Sequence, residues 1–143
     1  MTAHEGGWRG FAWRGALALL LVSFSTGCMQ ERAAHCSRVA KALVTPQPKK
    51  AQTSRADELL LAAREFTAAA GRLAAIGPLS PELDAIAKAV QRELGNASAA
   101  IEAAATARKA VRQPDYAAAR QRAEDARRAL LELSTRFAQL CAR

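Results

Sequence analysis

Apolar residues in the last third of this 143-residue chain recur at alternating steps of three and four. Tyr116, Ala119, Ala123, Ala126, Leu130, Leu133, Phe137 and Leu140 follow that rule without a miss. The spacing returns side chains to one face of a helix and predicts a helix over 114–141. Leu83, Ala87, Val90, Leu94, Ala97, Ile101 and Ala104, continued by Arg108 and Val111, predict another over 81–112. Gly95-Asn96 weakens it near the middle by about 1 kcal/mol against alanine. Leu59, Ala62, Phe66, Ala69, Leu73 and Ile76 trace a third stripe and predict a helix over 54–76. A shorter one, Ala33, Cys36, Ala40 and Leu43, predicts 29–44.

The polar and turn-forming residues between these stripes act as punctuation. Thr45-Pro46-Gln47-Pro48 stops the first helix, because proline lacks an N–H and turns its predecessor away from helix. Lys49 and Lys50 sit in the linker 45–53 that follows. Ser54 with Asp57 is a capping-box-like start, and Gly77-Pro78 is a stop. Ser80 is placed to cap the third helix with Pro81 at its first position. Pro114-Asp115 opens the fourth, whose polar side carries Glu124–Arg128 and Glu132–Arg136 as acid-before-base pairs at i, i+4.

A 3.5-residue period winds left-handed, so helices carrying it cross at about 20°. Short connections at 77–80 and 112–114 turn neighbouring helices back on each other. The expected fold is therefore all-α: an antiparallel, up-down-up-down four-helix bundle over residues 28–143, after an N-terminal signal peptide over 1–27. The stretch 101–133 reads as a helical hairpin, and its "PDYAAA" is similar to the start of the second helix of a tetratricopeptide unit. That similarity covers one unit and implies a turn near Gln113. The alternative is one long helix kinked at Pro114.

The N-terminus follows a different rule. Arg9 and Arg14 precede an apolar run over 15–24, followed by Ser25-Thr26-Gly27-Cys28. A charged segment, an apolar segment and small residues before a cut make a secretory signal. With cysteine after the cut, the segment resembles the signal of bacterial lipoproteins, although Ser25 stands where that family has an aliphatic residue. The resemblance implies that Cys28 is lipidated and anchors residues 28–143 to a bilayer. Met29 in place of an aspartate implies an outer-membrane position facing the periplasm. An ordinary signal cut elsewhere and an uncleaved anchor are the alternatives; an anchor helix needs about twenty apolar residues, roughly twice the run present.

Three cysteines occur: Cys28, Cys36 and Cys141. Acylation of Cys28 leaves an even pair in a compartment where disulfides persist, so a Cys36–Cys141 bridge is expected. Two buried free thiols are the alternative. The wiring expected above brings both cysteines to one end of the bundle. The bridge would close a loop of about a hundred residues, a constraint of up to ~4.7 kcal/mol in the chain-entropy model.

Alanine fills 36 of the 143 positions, so helices must approach closely or be stapled. Removing Arg9, Arg14 and Glu5 from the 21 basic and 13 acidic residues leaves a net charge of +7. That charge suits anionic polymers or lipids, with Lys49, Lys50, Arg108, Lys109 and Arg112 as candidate anion-binding residues at the distal end. It equally suits arginine that solvates helix faces. Nucleic acid is the poorest match, because Phe66, Tyr116 and Phe137 are the only aromatics after residue 27 and export removes the chain from it.

Catalytic patterns are missing from the reading. Glu31 and His35 share a face at i, i+4 and Cys36 adjoins them, but His35 is the only histidine after residue 27, and zinc wants three or four converging ligands. No haem-attachment motif, phosphate loop or nucleophile–base frame is present. The expectation is a non-catalytic structural or protein-interaction lipoprotein of the cell envelope, with no metal or cofactor. A basic binder of anionic polymers or lipids and a cytoplasmic nucleic-acid binder are its rivals.

Overall fold

Four helices and no strand make up the described residues of the computed structural model, which are 29–44 and 55–143. They are α1 (Met29–Leu43), α2 (Arg55–Ala74), α3 (Pro81–Lys109) and α4 (Gln113–Cys141). The signal segment 1–27, Cys28, the whole linker 45–53 with Lys49 and Lys50, and the expected Ser54 cap lie outside the described residues. Acidic residues open the helices: Glu31 in α1, Asp57 and Glu58 in α2, Glu82 and Asp84 in α3, Asp115 in α4. Basic ones close the first three, at Lys41, Arg72, and Arg108 with Lys109. Both placements favour the helix dipole.

The helix α3 is the middle of the assembly. Along their lengths, α2 and α4 approach it much more closely than they approach each other. Its buried residues show why. In the first half Leu83, Ala87, Val90 and Leu94 form the single expected stripe. In the second half Ala97, Ser98, Ala100, Ile101, Ala104, Ala105 and Ala107 are all buried, an arc of about half the helix circumference. One flank of that arc meets α2: the Ser98 hydroxyl donates to the Ala63 carbonyl at 2.9 Å and lies 2.8 Å from the Thr67 hydroxyl. Since Ser98 has one proton, Thr67 donates to it, and the chain of two bonds satisfies a side chain only 5% exposed. The other flank meets α4 across Ala100 and Ala126.

Helix α1 meets only one end of this trio. Its start lies beside the start of α3, with Arg32 facing Glu82 at 4.0 Å and the Ser80 N–H donating to His35 Nδ1 at 3.3 Å. Further along, Arg38 donates to the Pro78 carbonyl at 3.1 Å. At its end, Arg72 of α2 donates from Nε to the Ala42 carbonyl at 2.8 Å and from Nη2 to the Val44 carbonyl at 3.2 Å. One guanidinium thus serves carbonyls that the helix end leaves without intrahelical partners.

The core divides accordingly. At the α1 end, Cys36, Val39, Ala42 and Leu43 pack with Ala69, Leu73, Leu83, Val90, Leu94 and Phe137. At the other end, Leu59, Ala63, Ala100, Ile101, Ala105 and Ala123 form a second cluster of mostly small side chains. Phe66 packs against both.

Helix α3 runs without a break through Gly95-Asn96, and other expectations need correction. Gly95 faces outward, and Asn96 donates to Glu93 at 3.1 Å. Ser80 occupies the N-cap position, but its hydroxyl makes no capping bond; its backbone carbonyl accepts from Asp84 instead. Helix α3 ends at Lys109, not at 112, so Val111 falls outside it; Arg108 is still helical, and both are exposed. The ion pairs on α4 form one residue closer than expected, Glu124 with Arg127 at 3.5 Å and Asp125 with Arg128 at 3.9 Å, while Glu132 and Arg136 do not pair with each other. Residues three apart are helix neighbours as much as those four apart, and Asp125 competes for Arg128.

The joint between α3 and α4 resolves the choice between hairpin and kink. Two separate helices pack along each other, joined by Ala110–Arg112. The Arg112 N–H reaches the Ala107 carbonyl at 2.9 Å and the Val111 N–H reaches Arg108 at 3.2 Å, a Schellman closure. Its left-handed position is Val111, at φ 56°. A β-branched residue is strained there, where glycine would be at ease.

Candidate functional site

Cys36 and Cys141 are bonded, with their Cα atoms 6.1 Å apart. Helix α1 supplies Cys36 from the buried face it shares with Val39, Ala42 and Leu43, and Cys141 is the last residue of α4. The bridge joins the helix that follows Cys28 to the end of the chain's most regular stripe. Cys36 is 3% exposed while Cys141 is partly exposed. Of the three cysteines, Cys28 is therefore the one the bridge does not use.

Around this end, His35 accepts a hydrogen bond on Nδ1 from the Ser80 backbone. With Cys36 in the bridge, the Glu31–His35–Cys36 face offers no thiolate. Among the described residues no three His, Cys, Asp or Glu side chains come together to hold a metal ion.

The basic candidates gather at the opposite end, where the described ones already have company. Lys109 bonds to Asp57 at 3.1 Å, Arg112 to Asp115 at 3.2 Å, and Arg108 lies over the Tyr116 ring, 5.8 Å from its centroid. Asp57, expected to pair with Ser54 at the start of α2, also meets α3 through Lys109, and Ser54 lies outside the described residues. The pairs are half-exposed, so each holds its cation loosely and is screened by salt. Lys49 and Lys50 are outside the described residues.

A shallow groove of about 420 Å³ runs between α3 and α4, lined by Glu93, Asn96, Ala99, Ala100, Arg122, Asp125 and Ala126. Both acids in it are already bonded, Glu93 to Arg92 and Asn96, Asp125 to Gln121 and Arg128. Chemically it is a polar seam between helices and has no nucleophile–base arrangement.

Sequence reasoning missed Arg72, which ties α1 to α2, and Ser98, which ties α2 to α3. The signal for Ser98 was present: it stands seven residues before Ala105, beside the Ala97–Ile101–Ala104 stripe, and marks a second face. Arg72 carries no such signal, because its partners are backbone carbonyls some thirty residues away. No family model, curated protein or solved structure matches the chain. No helix among the described residues is long and apolar enough to cross a membrane.

Proposed function

We propose that this chain is a lipid-anchored lipoprotein of the bacterial cell envelope, a non-catalytic module that supports or docks another envelope component. One observation carries the reading. With Cys36 and Cys141 joined, the remaining thiol is Cys28, at the position after the small residues of a signal-like segment. Helix α1 begins at the next residue, so an acylated Cys28 puts the bridged end of the bundle against the bilayer. Each acyl methylene contributes about 0.8 kcal/mol on burial, and the two or three chains of a lipoprotein hold it almost irreversibly. Outer-membrane placement facing the periplasm belongs to this reading, as does the absence of nucleic acid, cofactor or catalysis.

The finer architecture is part of the same proposal: helices wired up-down-up-down, each antiparallel to the next. Asp57 at the start of α2 meets Lys109 at the end of α3, and Ser98 meets Ala63 and Thr67 midway, which supports opposite directions for that pair. The Cys36–Cys141 bond supports an α1 that starts where α4 finishes.

Acyl labelling with fractionation tests it. The expected result is a labelled, membrane-bound product for the natural chain and none for Cys28→Ala. An unmodified Met1 on the native product, with no lipid adduct, overturns it.

Net charge favours a second reading, in which the distal cations bind anionic polymers or lipids. That reading expects polyanion binding that falls steeply with salt, and its loss on neutralising Lys49, Lys50, Arg108, Lys109 and Arg112. A defined protein that co-purifies with little dependence on salt favours the first.

A further inference from the structure

Helix α1 is the least embedded element of the fold, and the Cys36–Cys141 bridge ties it covalently to α4. We propose that this bridge is a redox latch. Closed, it holds α1 over the apolar end of the trio; opened by a dithiol reductant, it releases α1 while α2, α3 and α4 stay packed.

Three observations carry this. First, α1 buries only Cys36, Val39, Ala42 and Leu43, and a helix of 15 residues is at the margin of stability without packing. Its docking therefore depends on being held in place. Second, its other polar attachments are the exposed Arg32–Glu82 pair and hydrogen bonds from Arg38, Arg72 and the Ser80 N–H, two of those bonds exposed to water, where the net gain is small. Third, the trio has a core of its own. The Leu59, Ala63, Ala100, Ile101, Ala105 and Ala123 cluster and the Thr67–Ser98–Ala63 chain contain no residue of α1.

The two sulfurs differ in access, and that sets the direction of opening. A thiolate of the reductant attacks Sγ of the partly exposed Cys141, forming a mixed disulfide. Buried Cys36 leaves as thiolate and takes a proton. The second thiol of the reductant then attacks the mixed disulfide and frees Cys141. Two electrons and two protons pass to the chain, and the dithiol becomes a disulfide. Opening uncovers Leu73, Leu83 and Phe137, which share a cluster with Val39 and Leu43. The consequence for the envelope rests on the anchor reading above: the released helix is the one that follows Cys28, so the bundle loses its fixed seat beside the bilayer.

Hydrogen exchange on the full chain, as purified from cells, is the test. Adding a dithiol reductant is expected to speed exchange in 29–43 on the order of tenfold, with 81–109 and 113–135 unchanged, and reoxidation to restore it. A Cys36→Ser/Cys141→Ser variant reproduces the reduced pattern without reductant. Unchanged protection in 29–43 overturns the latch, and so does a loss of protection shared by all four helices, which makes the bridge a general brace. If the double variant does not fold, the reductant arm on the natural chain decides alone. The mass of the N-terminal peptide reports acylation separately, so an unlipidated Cys28 with a working latch sinks the anchor and spares the latch.

Discussion

The two ends of this molecule solve one packing problem with different materials. At the α1 end, Leu73, Leu83, Val90, Leu94 and Phe137 supply large side chains, and a fourth helix and a disulfide close over them. At the far end, Ala63, Ala100, Ala105 and Ala123 surround Leu59 and Ile101, and three helices suffice. Bulky residues hold helices apart and leave apolar area that something must cover. Alanine removes little area from water, at about 25 cal/mol per Å², but lets backbones come close enough for dense dispersion contact. One end is stabilised by what it buries, the other by how near its helices lie.

That contrast can be broken from either side. The largest effect is expected from Phe137→Ala, which empties the bulky core and should cost about 3–5 kcal/mol in denaturant unfolding. A loss under 1 kcal/mol would show that the α1 end is not held by packing. Next comes Ala104→Leu in the alanine seam, where the native side chain is 0% exposed. Enlargement there should cost about 1–3 kcal/mol, and a neutral result would mean that the helices are not in close contact.

Two smaller changes sharpen the picture by adding stability. Val111→Gly relieves a strained left-handed turn at a residue 79% exposed, so nothing is lost from the core. A gain of about 1 kcal/mol in thermal unfolding is expected, and a loss would count against the Schellman turn. Gly95→Ala should gain a little under ~1 kcal/mol, because a methyl group there meets nothing within 4 Å. A loss instead would mean that this outer face of α3 is covered in solution.

How far these features were legible depends on whether their cause is local. The four helices follow from stripes and punctuation, and their observed bounds differ from the expected ones by three residues at most. The Cys36–Cys141 pair was reached from cysteine number and wiring. What escaped the reading was non-local. Val111 keeps the helical period, yet the helix ends at Lys109, and Arg108 inside it lies on the exposed side. Lys109 read as a distal cation, yet Asp57 meets it once α2 and α3 are assembled; the Arg112–Asp115 pair, three residues apart, is local.

By itself the sequence determined where helices begin and stop to within three residues, most of the apolar face that each buries, and which cysteines share an end. Those are consequences of periodicity, caps and backbone chemistry within a few residues. Only the tertiary structure decided that α3 sits between α2 and α4, that α1 covers one end alone, and that Ser98 is buried. These depend on how closely small side chains let helices approach, a sum over pairs of surfaces that no single stripe contains.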